Sequence, residues 1–113
     1  MIRTTAFKLA FTWEDEVDVT IRKEDGRIKE FGVNYRAKIG DKWHNVIRYD
    51  TAHGMIHVHK FWASPKIIPL RARTAAGMKT AVIEAVKDIK SNWKTYRNCL
   101  VERVKRNGKQ KTG

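Results

Sequence analysis

His53, His57 and His59, three of the four histidines in the chain, lie close to Arg48, Asp50 and Lys60. The run from about Met55 to Trp62 reads as a β-strand, on which alternate side chains share a face, so His57 and His59 should stand about 6.5–7 Å apart. That separation suits a pair of metal ligands or an acid/base pair. Imidazole titrates near neutral pH, which lets it both take and give a proton there.

Three chemistries are open to the cluster. In a metal-free nuclease, one imidazole takes the 2′-hydroxyl proton of RNA and another protonates the leaving oxygen, while Arg48 or Lys60 offsets charge developing on phosphorus. In a metal site, His53, His57 and His59 with Asp50 supply three nitrogens and one oxygen to Zn²⁺ or a similar divalent ion, whose bound water is the nucleophile. In the third, His57-Val58-His59 is the His-hydrophobic-His of metal-dependent DNA nucleases that attack with a helix-borne tyrosine, here Tyr96. Plainer roles are also open: surface histidines satisfied by water, an Arg48–Asp50 ion pair that orders the turn after it, and a core position for Tyr96 between Trp93 and Leu100. His44 stands outside the cluster.

The elements that must position these residues follow from periodicity. Phe7, Leu9 and Phe11, then Val17, Val19 and Ile21, alternate with polar or small neighbours, as in two strands. Glu24-Asp25-Gly26 supplies a tight turn, because Asp-Gly readily takes positive φ. Phe31, Val33, Tyr35, Ala37 and Ile39 mark one face of a longer strand, Gly40-Asp41 turns it, and Lys42 to Tyr49 returns antiparallel. The histidine segment is the fifth strand. Ser64-Pro65 and Pro69 then read as a loop, since proline lacks the ladder donor. From about Thr74, Met78, Val82, Ala85, Ile89, Trp93, Tyr96, Leu100 and Val104 form one apolar stripe, which predicts a helix of about 30 residues. Such a helix spans about 45 Å, longer than a five-stranded sheet is wide, and its end invites a homodimer contact. The expected fold is α+β: an antiparallel meander of about five strands followed by one long C-terminal helix. It occupies residues 1–106 as a single domain, with a frayed basic tail over 107–113.

The formal net charge is +12 over 113 residues, and it is uneven. Residues 1–70 hold 12 Lys/Arg against 9 Asp/Glu, whereas residues 71–113 hold 12 against 3. A polyanion, RNA or another nucleic acid, is the first partner this implies. Lys79, Lys87, Lys90, Lys94, Arg97 and Lys105 avoid the apolar stripe and should form a basic face that tracks a phosphate backbone, with Lys60 added from the strand. Trp13, Trp43, Trp62 and Trp93 offer either core volume or stacking faces for bases, and core filling is expected for at least three. No apolar run is long enough for a membrane span. The N-terminus lacks a secretory layout and Cys99 has no disulfide partner, so a reducing cytoplasm is expected. Cys99 itself reads as a small, buried or half-buried helix thiol.

The segment VNYRAKIGDKWHNVIRYDTAHGMIHVHKF, residues 33–61, resembles the core of the small TumE-type toxins of toxin–antitoxin modules and related uncharacterised domains. Arg48-Tyr49-Asp50-Thr51-Ala52-His53-Gly54 carries the more specific part of the likeness. The resemblance implies a toxin acting in the cytoplasm beside a DNA-binding antitoxin protein. It implies no particular mechanism.

Overall fold

The computed structural model describes residues 1–52, 55–64, 67–72 and 75–111. Six strands form one antiparallel sheet in sequence order: β1 (Ile2–Thr12), β2 (Asp15–Glu24), β3 (Arg27–Ile39), β4 (Lys42–Ala52), β5 (Met55–Lys60) and β6 (Ile67–Ala72). A single helix, α1 (Ala75–Lys111), follows. The expected meander and helix are therefore present, with one strand more than the residue pattern suggested. β6 contains Pro69, whose lack of a donor is tolerated because the strand is at the sheet edge and bonds on one side only. The helix has 37 residues and runs through Lys111, into the segment expected to fray.

Asp25 and Gly26 turn β2 into β3 with φ of 52° and 78°, the left-handed pair a two-residue hairpin loop needs. Beyond it the sheet has two distinct faces. Val17, Val19, Phe31, Val33, Tyr35, Ala37, Ile56 and Val58 point to one side and are buried. There they meet Met78, Ala81, Val82, Ala85, Ile89 and Leu100 of α1. The apolar stripe read from the sequence is thus the packed face of the helix.

A bulge in β4 decides which residues reach the other side. Tyr35 pairs with Ile47 and Arg36 with Asn45, leaving Val46 as the extra residue. Val46 and Ile47 are both buried, so alternation skips one position there. Trp43 and Asn45 before the bulge, and Arg48 and Asp50 after it, consequently share the face away from the helix.

Two carboxylates, one buried and one half-buried, pin α1 to the sheet. Asp15, 4% exposed, accepts from Tyr35 Oη at 2.6 Å, Thr12 Oγ1 at 2.5 Å and Arg97 Nε at 3.2 Å. Asp88 on the helix accepts from the hydroxyls of Tyr49 and Tyr96 and from Asn92 Nδ2. Burial first, and the hydrogen bond to a carboxylate second, push all three tyrosines above their ordinary pKa.

Candidate functional site

On the face away from α1, pairing aligns polar side chains into a row across five strands: Lys8, Asp18, Asn34, Arg48 and His59. The neighbouring row holds Thr20, Gly32, Asp50 and His57. A methyl group at Gly32 would meet nothing within 4 Å, so the face dips beside Asp50.

Arg48, Asp50, His57 and His59 meet where these rows cross β4 and β5. His59 Nε2 lies 3.1 Å from Asp50 Oδ1, diagonally across the strand pair. The other oxygen, Asp50 Oδ2, lies 3.1 Å from Arg48 Nε. A carboxylate at Nε2 favours the imidazole tautomer that donates from that atom and leaves Nδ1 as the free lone pair. Phe61 completes the group: its ring stacks on His59 with centroids 6.1 Å apart, and the Arg48 guanidinium lies 5.8 Å from its centroid.

Three shielded polar atoms of this face lack a directed hydrogen bond among the described residues: Asn34 Oδ1, Arg48 Nε and His57 Nδ1. Arg48 Nε is close to Asp50 but out of alignment with it, so that contact is Coulombic. An unsatisfied buried polar atom costs about 1–3 kcal/mol, so such atoms in a native fold take a partner, whether protein, water or ligand. Here they occupy adjacent positions of the two rows.

Other candidates lie elsewhere. His53 falls outside the described residues. Among the described residues, no three of His, Cys, Asp and Glu converge as a metal-holding group. Lys60 pairs with Ile47 and points to the helix side, away from His57 and His59. Tyr96 is also on that side: it stacks on Trp62 at 5.3 Å and donates to Asp88, so the sheet separates it from both histidines. The geometry therefore does not assemble the His-hydrophobic-His site with a helix tyrosine. Arg97 leaves the basic face as well, because its guanidinium is committed to Asp15 and to the Lys38 carbonyl, 3.1 Å away.

Lys79, Lys87, Lys90, Lys94 and Lys105 are exposed on α1. Their surface lies across the sheet from the histidines. The open face, by contrast, balances its charges: Lys8 and Arg36 pair with Glu16 and Asp18, and Arg22 with Glu30. Two tryptophans also differ from expectation. Trp62 and Trp93 pack on the core, whereas Trp13 at the β1–β2 turn is 98% exposed and Trp43 is 39% exposed beneath the Arg36 guanidinium. Nothing in alternation distinguishes Trp43 from a core residue until the bulge at Val46 is known.

A six-stranded meander backed by one helix, with a polar open face bearing an Arg–Asp–His cluster, defines the architecture. The chain belongs to the family described as a domain of unknown function, DUF7718, whose family model matches residues 2–106. No curated protein and no solved structure matches the chain significantly. No helix among the described residues is long and apolar enough to cross a membrane.

Proposed function

We propose that this protein acts on RNA as a small endoribonuclease, with the catalytic groups on the open face of the sheet. The observation that carries the reading is the Arg48–Asp50–His59 cluster, with His57 opposite Asp50 on the same face. Held by Asp50 at Nε2, His59 offers Nδ1 as the base that takes the 2′-hydroxyl proton. The 2′-oxygen then attacks phosphorus and the P–O5′ bond breaks. Protonated His57 gives its proton to the departing 5′-oxygen, which leaves a 2′,3′-cyclic phosphate and a 5′-hydroxyl. Arg48 offsets the charge on the phosphoryl oxygens.

The toxin role and the antitoxin protein partner rest on the likeness of residues 33–61 to TumE-type toxins, and the cytoplasmic setting on that likeness together with the lone Cys99. Incubation of purified protein with a fluorescent RNA oligonucleotide, with and without EDTA, tests the chemistry. Cleavage that survives chelation and disappears in His59→Ala supports it; cleavage lost on chelation moves the reading to a divalent-metal site. A non-enzymatic nucleic-acid-binding module is the second reading, favoured by the exposed lysines of α1 opposite a charge-balanced face. Tight binding without cleavage decides for it.

A further inference from the structure

β4 begins at Lys42, but its pairing with β5 begins only at Ile47, opposite Lys60. The chain turns away there: Phe61 N donates to the Val46 carbonyl at 3.2 Å, and Ala63 N donates to the Lys60 carbonyl at 3.0 Å. Among the described residues, positions 42–45 are therefore hydrogen-bonded to β3 on one side and to no strand on the other. A strand edge left open inside a sheet, rather than at its border, is a notch with walls.

The walls have a definite chemistry. Ile39, Phe61, Leu100 and Val104 line a cavity of about 860 Å³ beside that edge. Lys42 and Arg103 stand at its rim with His44, against one carboxylate, Asp41. An open strand edge offers alternating backbone donors and acceptors, which an extended peptide matches and a sugar-phosphate chain does not. The apolar wall calls for aliphatic side chains on alternate positions, and the cationic rim for acidic ones between them.

We propose that this notch is a docking site for an extended acidic-aliphatic peptide segment of a partner protein, which adds as a short strand to Lys42–Asn45 where β5 stops. The peptide lies beside β4, under the C-terminal half of α1. It occupies a surface beside the Arg48–Asp50–His59 cluster rather than on it, and meets that neighbourhood at Phe61 and at Asn45, which accepts from Asn34 Nδ2.

The probe is an end-capped eight-residue peptide alternating glutamate with valine, labelled with fluorescein, and read by anisotropy on the full chain. A peptide with lysine in place of each glutamate and a single-stranded RNA octamer serve as comparisons. The acidic peptide is expected to bind at least ~10-fold more tightly than the lysine peptide, and Arg103→Glu should weaken it by at least ~10-fold. Lys94→Glu, on the helix face away from the notch, should change it by less than ~2-fold. Hydrogen exchange supplies a measurement that does not depend on any variant folding: amides at 42–45 should exchange at least ~10-fold more slowly when the acidic peptide saturates. Equal binding of the two peptides, or binding without protection at 42–45, overturns the proposal. So does protection there that appears without peptide and rises with protein concentration, which means a second copy fills the notch. Displacement of bound peptide is not required of RNA, but RNA protection of 42–45 in the absence of peptide protection overturns the proposal in favour of nucleic acid.

Discussion

Asp50 and His59 are joined diagonally across β4 and β5, with Oδ1 3.1 Å from Nε2, and the same carboxylate sits against the Arg48 guanidinium. One anion thus orients an imidazole and a cation together. Asp50→Asn keeps the volume but removes the charge and offers an amide donor where His59 needs an acceptor. RNA cleavage under single-turnover conditions should fall by roughly 10²–10⁴-fold, the range of a general acid or base. The melting temperature should move by only a few degrees. Undiminished cleavage would remove Asp50 from the mechanism.

His57→Ala and His59→Ala should each lower the rate by at least ~100-fold. His44 pairs with Ala37 and lines the notch beside α1 rather than the open face. His44→Ala is expected to leave cleavage within a few-fold. If all three variants retain the wild-type rate, the open face is not the site of chemistry.

Affinity and chemistry should separate, because the exposed lysines of α1 and the histidines lie on opposite sides of the sheet. A Lys90→Glu/Lys94→Glu double variant should bind single-stranded RNA more weakly for every sequence. Its dependence of log affinity on log salt should flatten by roughly 0.7 per lost phosphate contact. Cleavage at saturating oligonucleotide should be unaltered. A parallel collapse of the saturated rate would show that substrate crosses from one face to the other during turnover.

Tyr35, Tyr49 and Tyr96 are the only tyrosines in the chain, and each donates its hydroxyl to a carboxylate. All three have pKa values raised above the ordinary value of about 10. Below pH ~10 both folded and unfolded chains keep these protons, and the stability they support is fully present. Above it the unfolded chain loses protons that the folded one retains, so stability falls as pH rises, by at most about 4 kcal/mol per pH unit when all three contribute. Tyrosinate absorbance should therefore stay absent until the fold is lost and then appear in one cooperative step. Gradual ionisation of the native protein near pH 10 contradicts the hydrogen-bonding pattern. Tyr96→Phe should cost about 1–3 kcal/mol, the scale of a lost bond to a charged acceptor, and leave RNA cleavage unchanged.

Most of the fold is legible because its pattern is local. Alternation around Val17–Val19 and Phe31–Ala37, the Asp25-Gly26 turn and the three-and-four spacing from Met78 to Val104 each follow from neighbours in the sequence. β6 is not legible in that way. Pro69 argues against a ladder, and only its place at the border of a sheet, a property of the whole topology, makes it acceptable. The same limit applies to the site. His57 and His59 share a face by simple alternation, but the company they keep depends on registers set over distance. Strict alternation from Trp43 would group it with Ile47 and Tyr49 on the helix side, and Val46 reverses that grouping. Arg97 illustrates the converse: by helical position it belongs with the lysines, yet Asp15, far away in sequence, draws it inward.

If the protein acts on RNA as proposed, the sheet is a partition between two ligand surfaces on a body measuring 29 × 22 Å across its shorter axes. An oligonucleotide too short to pass around an edge can engage the lysines of α1 or the open face, not both. A longer strand anchored on the helix raises the effective concentration of its own free end at the opposite face. Chain length, rather than base sequence, then becomes the variable that converts two weak surfaces into one avid receptor.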